Sequence, residues 1–123
     1  MQRVELAVGQ SAVTVDEIDE PTMAGAGIEL FDLDALQLQS MPFRVRRVVV
    51  RLDACSVAYH STNARVRTRT RVLEGRIAFV TFGPRARGTV NGLPIAPDMM
   101  LAVEPAAEGR FVVDAGYEAI AYL

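Results

Sequence analysis

From residue 43 to the C-terminus, apolar and polar residues alternate in short runs that are rich in β-branched and aromatic side chains. A period of two residues is typical of β-strands, and no stretch shows the 3.6-residue period of an amphipathic helix over a useful length. Short strands at regular spacing are the pattern of a β-sandwich or barrel. The predicted strands are residues 43–52, 54–60, 64–73, 76–82, 88–90, 93–95, 99–103, 110–114 and 118–123.

Turn-forming residues separate these runs. Asn91-Gly92 is the strongest hairpin signal, since both residues tolerate the positive φ that a type I′ turn requires. The other breaks are Gly75, Gly83-Pro84, Pro97-Asp98, Pro105, Gly109 and Gly116. No βαβ alternation and no solenoid repeat is present, so the predicted fold class is all-β and antiparallel.

The first forty residues have a different pattern. Residues 1–27 combine short apolar stretches with the acidic run Asp16-Glu17-Ile18-Asp19-Glu20, which predicts an N-terminal arm. The following segment, FDLDALQLQSM, fits either one short helix capped by Asp32 or Asp34 or a strand, and the pattern leaves both open. The predicted organisation is an acidic arm and connector over residues 1–40, followed by a β domain over residues 41–123.

Composition narrows the class of protein. A chain of 123 residues, of which 50% are hydrophobic and 23% charged, fits one globular domain and excludes disordered and collagen-like classes. No apolar run approaches the roughly 18 residues of a membrane span, and the N-terminus lacks a secretory signal pattern. We therefore expect a cytoplasmic protein without membrane contact. The single cysteine, Cys55, excludes an internal disulfide and is expected to be a small core residue.

Charge is strongly segregated along the chain. Residues 1–40 carry a net charge of −7, residues 41–87 of +9 and residues 88–123 of −4, and every basic residue is Arg. The overall pI of about 5.4 argues against a dedicated nucleic-acid surface. The simplest expectation is that acids of the arm pair with the basic segment, within one molecule or between subunits.

One basic run alternates regularly. Arg65, Arg67, Arg69 and Arg71 share one face of the predicted strand, and Val66, Thr68, Thr70 and Val72 share the other. The Arg face is either a solvated surface neutralised by cross-strand acids or a surface that binds an anionic ligand or acidic segment. If the β domain encloses a pocket, we expect its floor to include inward-facing side chains. The candidate ligand-binding residues are Arg67, Arg69, Thr68, Thr70, Phe79 and Tyr117.

Signals for catalysis and for metal binding are weak. A zinc or iron site needs three or more His, Cys or carboxylate ligands, whereas the chain has one histidine and one cysteine. His60 is expected to be an ordinary strand-end residue, and Tyr59 beside it should face the opposite way. No GxSxG, P-loop or GxGxxG motif occurs. The sequence predicts no catalytic residues, no metal and no cofactor.

Residues 75–105, GRIAFVTFGPRARGTVNGLPIAPDMMLAVEP, resemble the second half of a cupin jelly roll. More narrowly, residues 43–123 resemble the N-terminal sensor domain of AraC-type transcriptional regulators, in which a VNG.PI.PD pattern precedes an apolar strand. The resemblance implies a double-stranded β-helix that binds an effector or mediates dimerisation. It also implies that DNA is contacted by a C-terminal helix-turn-helix domain beyond residue 123. The His-x-His of metal-binding cupins is absent, since the corresponding region reads YHSTNARVR.

These observations lead to an expected function. The leading interpretation is a non-catalytic effector-sensing or dimerisation domain of a bacterial regulator, with a small-molecule effector and a homodimeric state as its expected partners. One alternative is a stand-alone metal-free cupin enzyme, an isomerase or lyase acting on a small acidic metabolite. Another is a single-stranded nucleic-acid binder, although the surface aromatic platforms for base stacking are missing. The chain ends within an apolar strand, AYL, which favours further sequence beyond it.

Overall fold

The structure is a computed structural model, and its described residues form twelve β-strands and one short 3₁₀ helix, Pro21–Met23. It describes residues 1–8, 11–25 and 31–123. The strands are β1 (Gln2–Val8), β2 (Ser11–Ile18), β3 (Phe31–Gln37), β4 (Val45–Arg51), β5 (Ser56–Thr62), β6 (Val66–Val72), β7 (Ala78–Phe82), β8 (Gly88–Val90), β9 (Leu93–Pro94), β10 (Met100–Val103), β11 (Glu108–Val113) and β12 (Glu118–Tyr122). No helix in these ranges is long and apolar enough to cross a membrane.

The strands form two antiparallel sheets. Sheet A has seven strands in the order β1-β2-β4-β5-β12-β7-β10, and sheet B has five in the order β3-β6-β11-β8-β9. From β5 onward the chain alternates between the sheets, with the β8–β9 hairpin as one step in sheet B. This alternation is the topology of a jelly roll, in which two sheets pack face to face. The predicted all-β, jelly-roll fold class is confirmed.

The β domain agrees closely with its predicted strands. Each of the nine runs predicted after residue 43 contains a strand, and the bounds differ by at most two residues. The Asn91-Gly92 turn joins β8 to β9, with φ of 48° at Asn91 and 80° at Gly92, as a type I′ turn requires. Local patterns sufficed here because strand period and turn chemistry are properties of neighbouring residues.

The segment predicted as an arm contributes strands to both sheets. The β1–β2 hairpin extends sheet A beside β4, and β3 pairs with β6 at the edge of sheet B. The segment for which helix and strand were both open is thus a strand. In β3 the apolar residues Phe31, Leu33 and Ala35 face inward, while Asp32 and Asp34 are exposed.

The hydrophobic core lies between the two sheets. It is built from alternate strand positions of both, which leaves the intervening positions on the outer faces. Among its buried members are Phe31, Phe43, Val49, Val66, Val80, Phe82, Val90 and Val113. The core also surrounds the cavity described next.

Candidate functional site: an interior cavity with a polar end

An apolar cavity of about 120 Å³ lies between the two sheets. Both sheets line it, with side chains that include Leu33, Val66, Phe111 and Val113 from sheet B and Val80 and Ala119 from sheet A. A dry, apolar cavity of roughly 150 Å³ in a protein core is known to hold benzene. The interior of this domain therefore has room for a small apolar molecule.

A row of polar residues crosses the inner face of sheet A and reaches this cavity. The strand register places Arg3, Asp16, Arg47 and His60 side by side on β1, β2, β4 and β5, and we call them the polar row. Asp16 and Arg47 are only 2% and 1% exposed. Arg47 and His60 both line the cavity. The polar row thus brings a buried positive charge to the wall of an otherwise apolar space.

Asp16 is held mainly by Arg3. The Arg3 Nε and Nη2 atoms donate to the two carboxylate oxygens of Asp16 at 2.7 and 2.9 Å, in a bidentate pair. The Arg47 Nη1 atom lies 3.9 Å from Asp16 Oδ2, which is an ion-pair distance but too long for a hydrogen bond. The carboxylate nearest to Arg47 therefore neutralises its charge without satisfying its N–H groups.

Arg47 uses its other nitrogens to connect three parts of the fold. Its Nη2 donates to the backbone carbonyl of Ala24, after the 3₁₀ helix, and its Nε donates to His60 Nδ1 at 3.5 Å. Its Nη1 is buried and has no hydrogen-bond acceptor within the described ranges. Burial lowers the pKa of Arg47 to about 10, against the opposing effect of Asp16, so the side chain stays charged at neutral pH.

His60 is neutral at physiological pH. Burial, together with the positive charge of Arg47, lowers the pKa of His60 to about 3. Because Nδ1 accepts the hydrogen bond from Arg47, we assign the proton of the neutral ring to Nε2. The ring packs edge-on against Phe31, with centroids 5.9 Å apart. The Nε2–H group is therefore a second donor on a side chain that lines the cavity.

The six candidate ligand-binding residues do not form one site. Thr68, Thr70 and Tyr117 line the cavity, and burial raises the pKa of Tyr117. Arg67 and Arg69 are exposed on the outer face of sheet B. The inward placement predicted for Phe79 is wrong: this residue is 39% exposed on the outer face of sheet A, and its neighbours Ala78 and Val80 face the cavity. Alternation shows which residues share a face but not which face is buried.

The Arg run of β6 lies among charges of both signs. Arg69 is opposite Asp34 of β3 and Arg110 of β11, and Arg71 is opposite Asp32 and Glu108. This arrangement favours the interpretation of the Arg face as a solvated surface with cross-strand acids.

The arm also pairs with the basic segment on sheet A. Glu17 contacts Arg46 at 3.5 Å, and Asp16 lies 3.9 Å from Arg47. The expected pairing of arm acids with the basic segment is confirmed for these two contacts within one molecule.

Sequence reasoning missed Asp16 and Arg47. Each lies next to other charged residues in the sequence and occupies an alternate position within a Val-rich strand, where a charge on the buried face is the available signal. His60 lies within β5, not at a strand end, and Tyr59 faces the opposite way as predicted. Cys55, predicted to be a core residue, is exposed just before β5. Among the residues described, no group of three His, Cys, Asp or Glu side chains is placed to hold a metal ion.

No protein-family model, curated protein or solved structure matched this chain in the three comparisons made.

Proposed function

We propose that this domain is the effector-sensing and dimerisation module of a bacterial AraC-type transcriptional regulator, and that the effector occupies the interior cavity. The observation that carries the proposal is an apolar cavity between the two sheets that ends on the polar row. A ligand there contacts both sheets at once, so its binding energy adds directly to the stability of the folded domain. In the proposed regulator, DNA contacts belong to a helix-turn-helix domain beyond residue 123.

The titration properties of the cavity wall favour binding over catalysis. A general acid or base works best with a pKa near the operating pH. Among the described wall residues, the pKa of His60 is about 3 and that of Arg47 about 10, while that of Tyr117 is raised. These side chains each hold one protonation state at neutral pH, which suits recognition better than the isomerase or lyase chemistry of the alternative function.

Thermal unfolding in the presence of small apolar probes tests the sensing proposal. We expect toluene or a similar single-ring compound to raise the melting temperature of the domain. Thr68→Leu adds side-chain volume at the cavity wall and should abolish this shift, whereas Ala107→Leu, at an exposed loop position, should keep it. Identical shifts in the two variants would place the probe elsewhere and contradict the proposal.

A second observation supports dimerisation. On the outer face of sheet A, two rows of side chains run across all seven strands without a charged residue. We call these two rows the apolar face. The first row is Leu6, Val13, Val50, Val57, Tyr122, Phe79 and Ala102, and the second is Val4, Val15, Val48, Tyr59, Ile120, Thr81 and Met100. Several members are well exposed, with Leu6 at 58% and Met100 at 63%.

The occupant that best fits the apolar face is a second copy of the chain. At about 4.8 Å per strand, seven strands span about 30 Å, so the two rows cover about 400 Å². This is about half of the roughly 800 Å² per partner that a standard interface buries, and the largest apolar patch on a monomer, which has about this size, is often functional. A two-fold axis would set the same uncharged surface against itself. The row beside it, with Glu17, Arg46 and Glu118, supplies a polar rim.

Analytical ultracentrifugation over a range of concentrations tests the dimer. Wild-type protein should sediment as a dimer, and Val48→Lys should weaken dimerisation by about tenfold or more because it places a charge in the apolar face. Leu36→Lys is the matched control, since Leu36 is an exposed apolar residue on the outer face of sheet B. A wild-type protein that stays monomeric at high concentration, or equal weakening by both variants, would contradict this interface.

A further inference from the structure

Arg47 is a buried cation whose hydrogen-bonding capacity is not filled by the residues that the structure describes. Its nearest carboxylate, on Asp16, is already in a bidentate pair with Arg3 and stays 3.9 Å away. A buried N–H group without an acceptor costs free energy that a bound acceptor would recover. Because Arg47 borders the cavity, the group that supplies this acceptor can be part of a ligand held in that cavity.

We propose that the effector is a small apolar monocarboxylic acid, whose carboxylate binds Arg47 while its hydrocarbon body fills the cavity. This inference rests on the proposed function, namely that the cavity holds a ligand. The guanidinium can donate from Nη1 to one carboxylate oxygen as a charge-assisted hydrogen bond. The Nε2–H of His60, which also borders the cavity, is a second donor beside it.

The charges around the cavity select a monoanion. Among the described residues that line the cavity, Arg47 is the only cationic side chain. The Asp16 carboxylate lies next to it and opposes a second negative charge, such as that of a phosphate monoester or a dicarboxylate. His60 is neutral and offers a hydrogen bond without adding charge. The site is therefore suited to one carboxylate.

The cavity wall apart from Arg47 and His60 determines which hydrocarbon group the acid can carry. Leu33, Val80, Phe111 and Val113 bring apolar side chains from both sheets. The hydroxyl-bearing residues of the wall are Ser61, Thr62, Thr68, Thr70 and Tyr117. A cavity of about 120 Å³ is close to the size that holds a single six-membered ring. A compact aromatic or branched aliphatic acid fits these predominantly apolar walls.

Binding of three matched probes to wild-type protein tests the inference. Benzoate, benzamide and toluene share one ring and differ in charge and polarity, and their affinities can be measured by calorimetry or from thermal shifts. We expect benzoate to bind at least about tenfold more tightly than benzamide or toluene. If toluene or benzamide binds as well as benzoate, the cavity holds a ligand but the carboxylate inference is wrong. If none of the three raises the stability, the proposed function itself fails.

Variants at two adjacent arginines identify the carboxylate partner. Arg47→Met should remove the preference for benzoate while toluene still binds, and Arg47→Lys should keep part of the preference because the charge remains. Arg46→Met is the control, since Arg46 faces outward next to Glu17 and is not part of the cavity wall. An unchanged benzoate preference in Arg47→Met would overturn the inference.

Circular dichroism establishes first that each variant folds. If Arg47→Met does not fold, the comparison of benzoate with benzamide in wild-type protein and in Arg47→Lys still decides the question. In that case equal affinity for the two probes in wild-type protein overturns the inference, and a benzoate preference that falls in Arg47→Lys supports it.

Discussion

Asp16 is the residue on which the buried charges of the polar row depend. It is 2% exposed and faces two arginines, one of which is as deeply buried as itself. Removing one partner of a buried ion pair leaves an uncompensated charge, which is far more costly than losing an exposed pair.

Asp16→Asn should therefore lower the free energy of unfolding by about 3 kcal/mol or more, measured by urea denaturation. Glu17→Gln is the control on the same strand, because Glu17 is 56% exposed and contacts Arg46 at 3.5 Å on the solvent side. That variant should change the stability by less than about 1 kcal/mol. Equal effects of the two substitutions would show that Asp16 does not neutralise the buried arginine.

His60 should make stability depend on pH. Its pKa falls from 6.5 to about 3 on folding, so the unfolded chain takes up the proton first as the pH falls. The stabilisation is complete above about pH 6.5 and is lost progressively toward about pH 3. From pH 7 to pH 5 the free energy of unfolding should decrease by about 2 kcal/mol.

The chain contains one histidine, which makes this dependence assignable. His60→Gln has no group that titrates between the two pH values, so its stability should stay nearly constant over the range. If the free energy of unfolding of the wild-type protein is the same at pH 7 and pH 5, His60 takes up a proton as readily in the folded as in the unfolded protein, which would contradict the prediction.

At the scale of single elements, the start of β8 depends on a glycine. Gly88 has φ of +143°, and a Cβ atom there would collide with the backbone carbonyl of Val112 on the neighbouring strand β11. The strand has three residues, so a shift at its first position disturbs its whole pairing with β11.

Gly88→Ala should lower the stability by about 2 kcal/mol or more, as measured by chemical denaturation. Gly92→Ala provides the comparison, because Gly92 also has a positive φ, +80°, but open space around its Cβ position. Gly92→Ala should lower the free energy of unfolding by only about 1 kcal/mol, because it adds the backbone strain of a positive φ but no collision. If Gly92→Ala is as destabilising as Gly88→Ala, the close approach to Val112 is not the cause.

The local sequence of β3 does not determine its secondary structure, and the neighbouring strand does. The segment with Phe31, Asp32 and Leu33 fits both a short helix and a strand on local grounds. Seven residues of β6 pair with it in register, which satisfies the backbone groups on the side of β3 that faces β6 and buries Phe31 against the core. A partner distant in sequence supplied the information that the local pattern lacked.

At the scale of the whole molecule, the first two strands belong to the same folding unit as the jelly roll. β2 pairs along its length with β4, and it buries Ile18 and Asp16 against the interior. β1 lies at the edge of sheet A, where Val4 and Leu6 are 56% and 58% exposed. The two strands should therefore contribute very differently to stability.

Deleting residues 1–27 should abolish cooperative thermal unfolding, since it removes β2, one of the two strands that pair with β4, and the carboxylate beside Arg47. Deleting residues 1–8 removes the edge strand together with Arg3 but keeps Asp16 beside Arg47, and should leave a folded domain with reduced stability. Circular dichroism melts distinguish these outcomes. A shorter protein, without residues 1–27, that melts like the wild type would show that the N-terminal strands are an accessory arm.

The amino-acid sequence by itself determined the all-β class, nine strands of the jelly roll and the Asn91-Gly92 hairpin, because the strand period and turn chemistry act between near neighbours. It also identified which residues share a face, including the separation of Arg67 and Arg69 from Thr68 and Thr70. Only the tertiary structure decided which faces are buried.

For that reason Phe79, which was predicted to face inward, lies on the apolar face. Asp16 and Arg47, which the local charge pattern did not single out, meet beside a cavity. The physical cause is that burial and charge pairing arise from contacts between strands far apart in the chain. Alternation along one strand is the same whichever side faces the core.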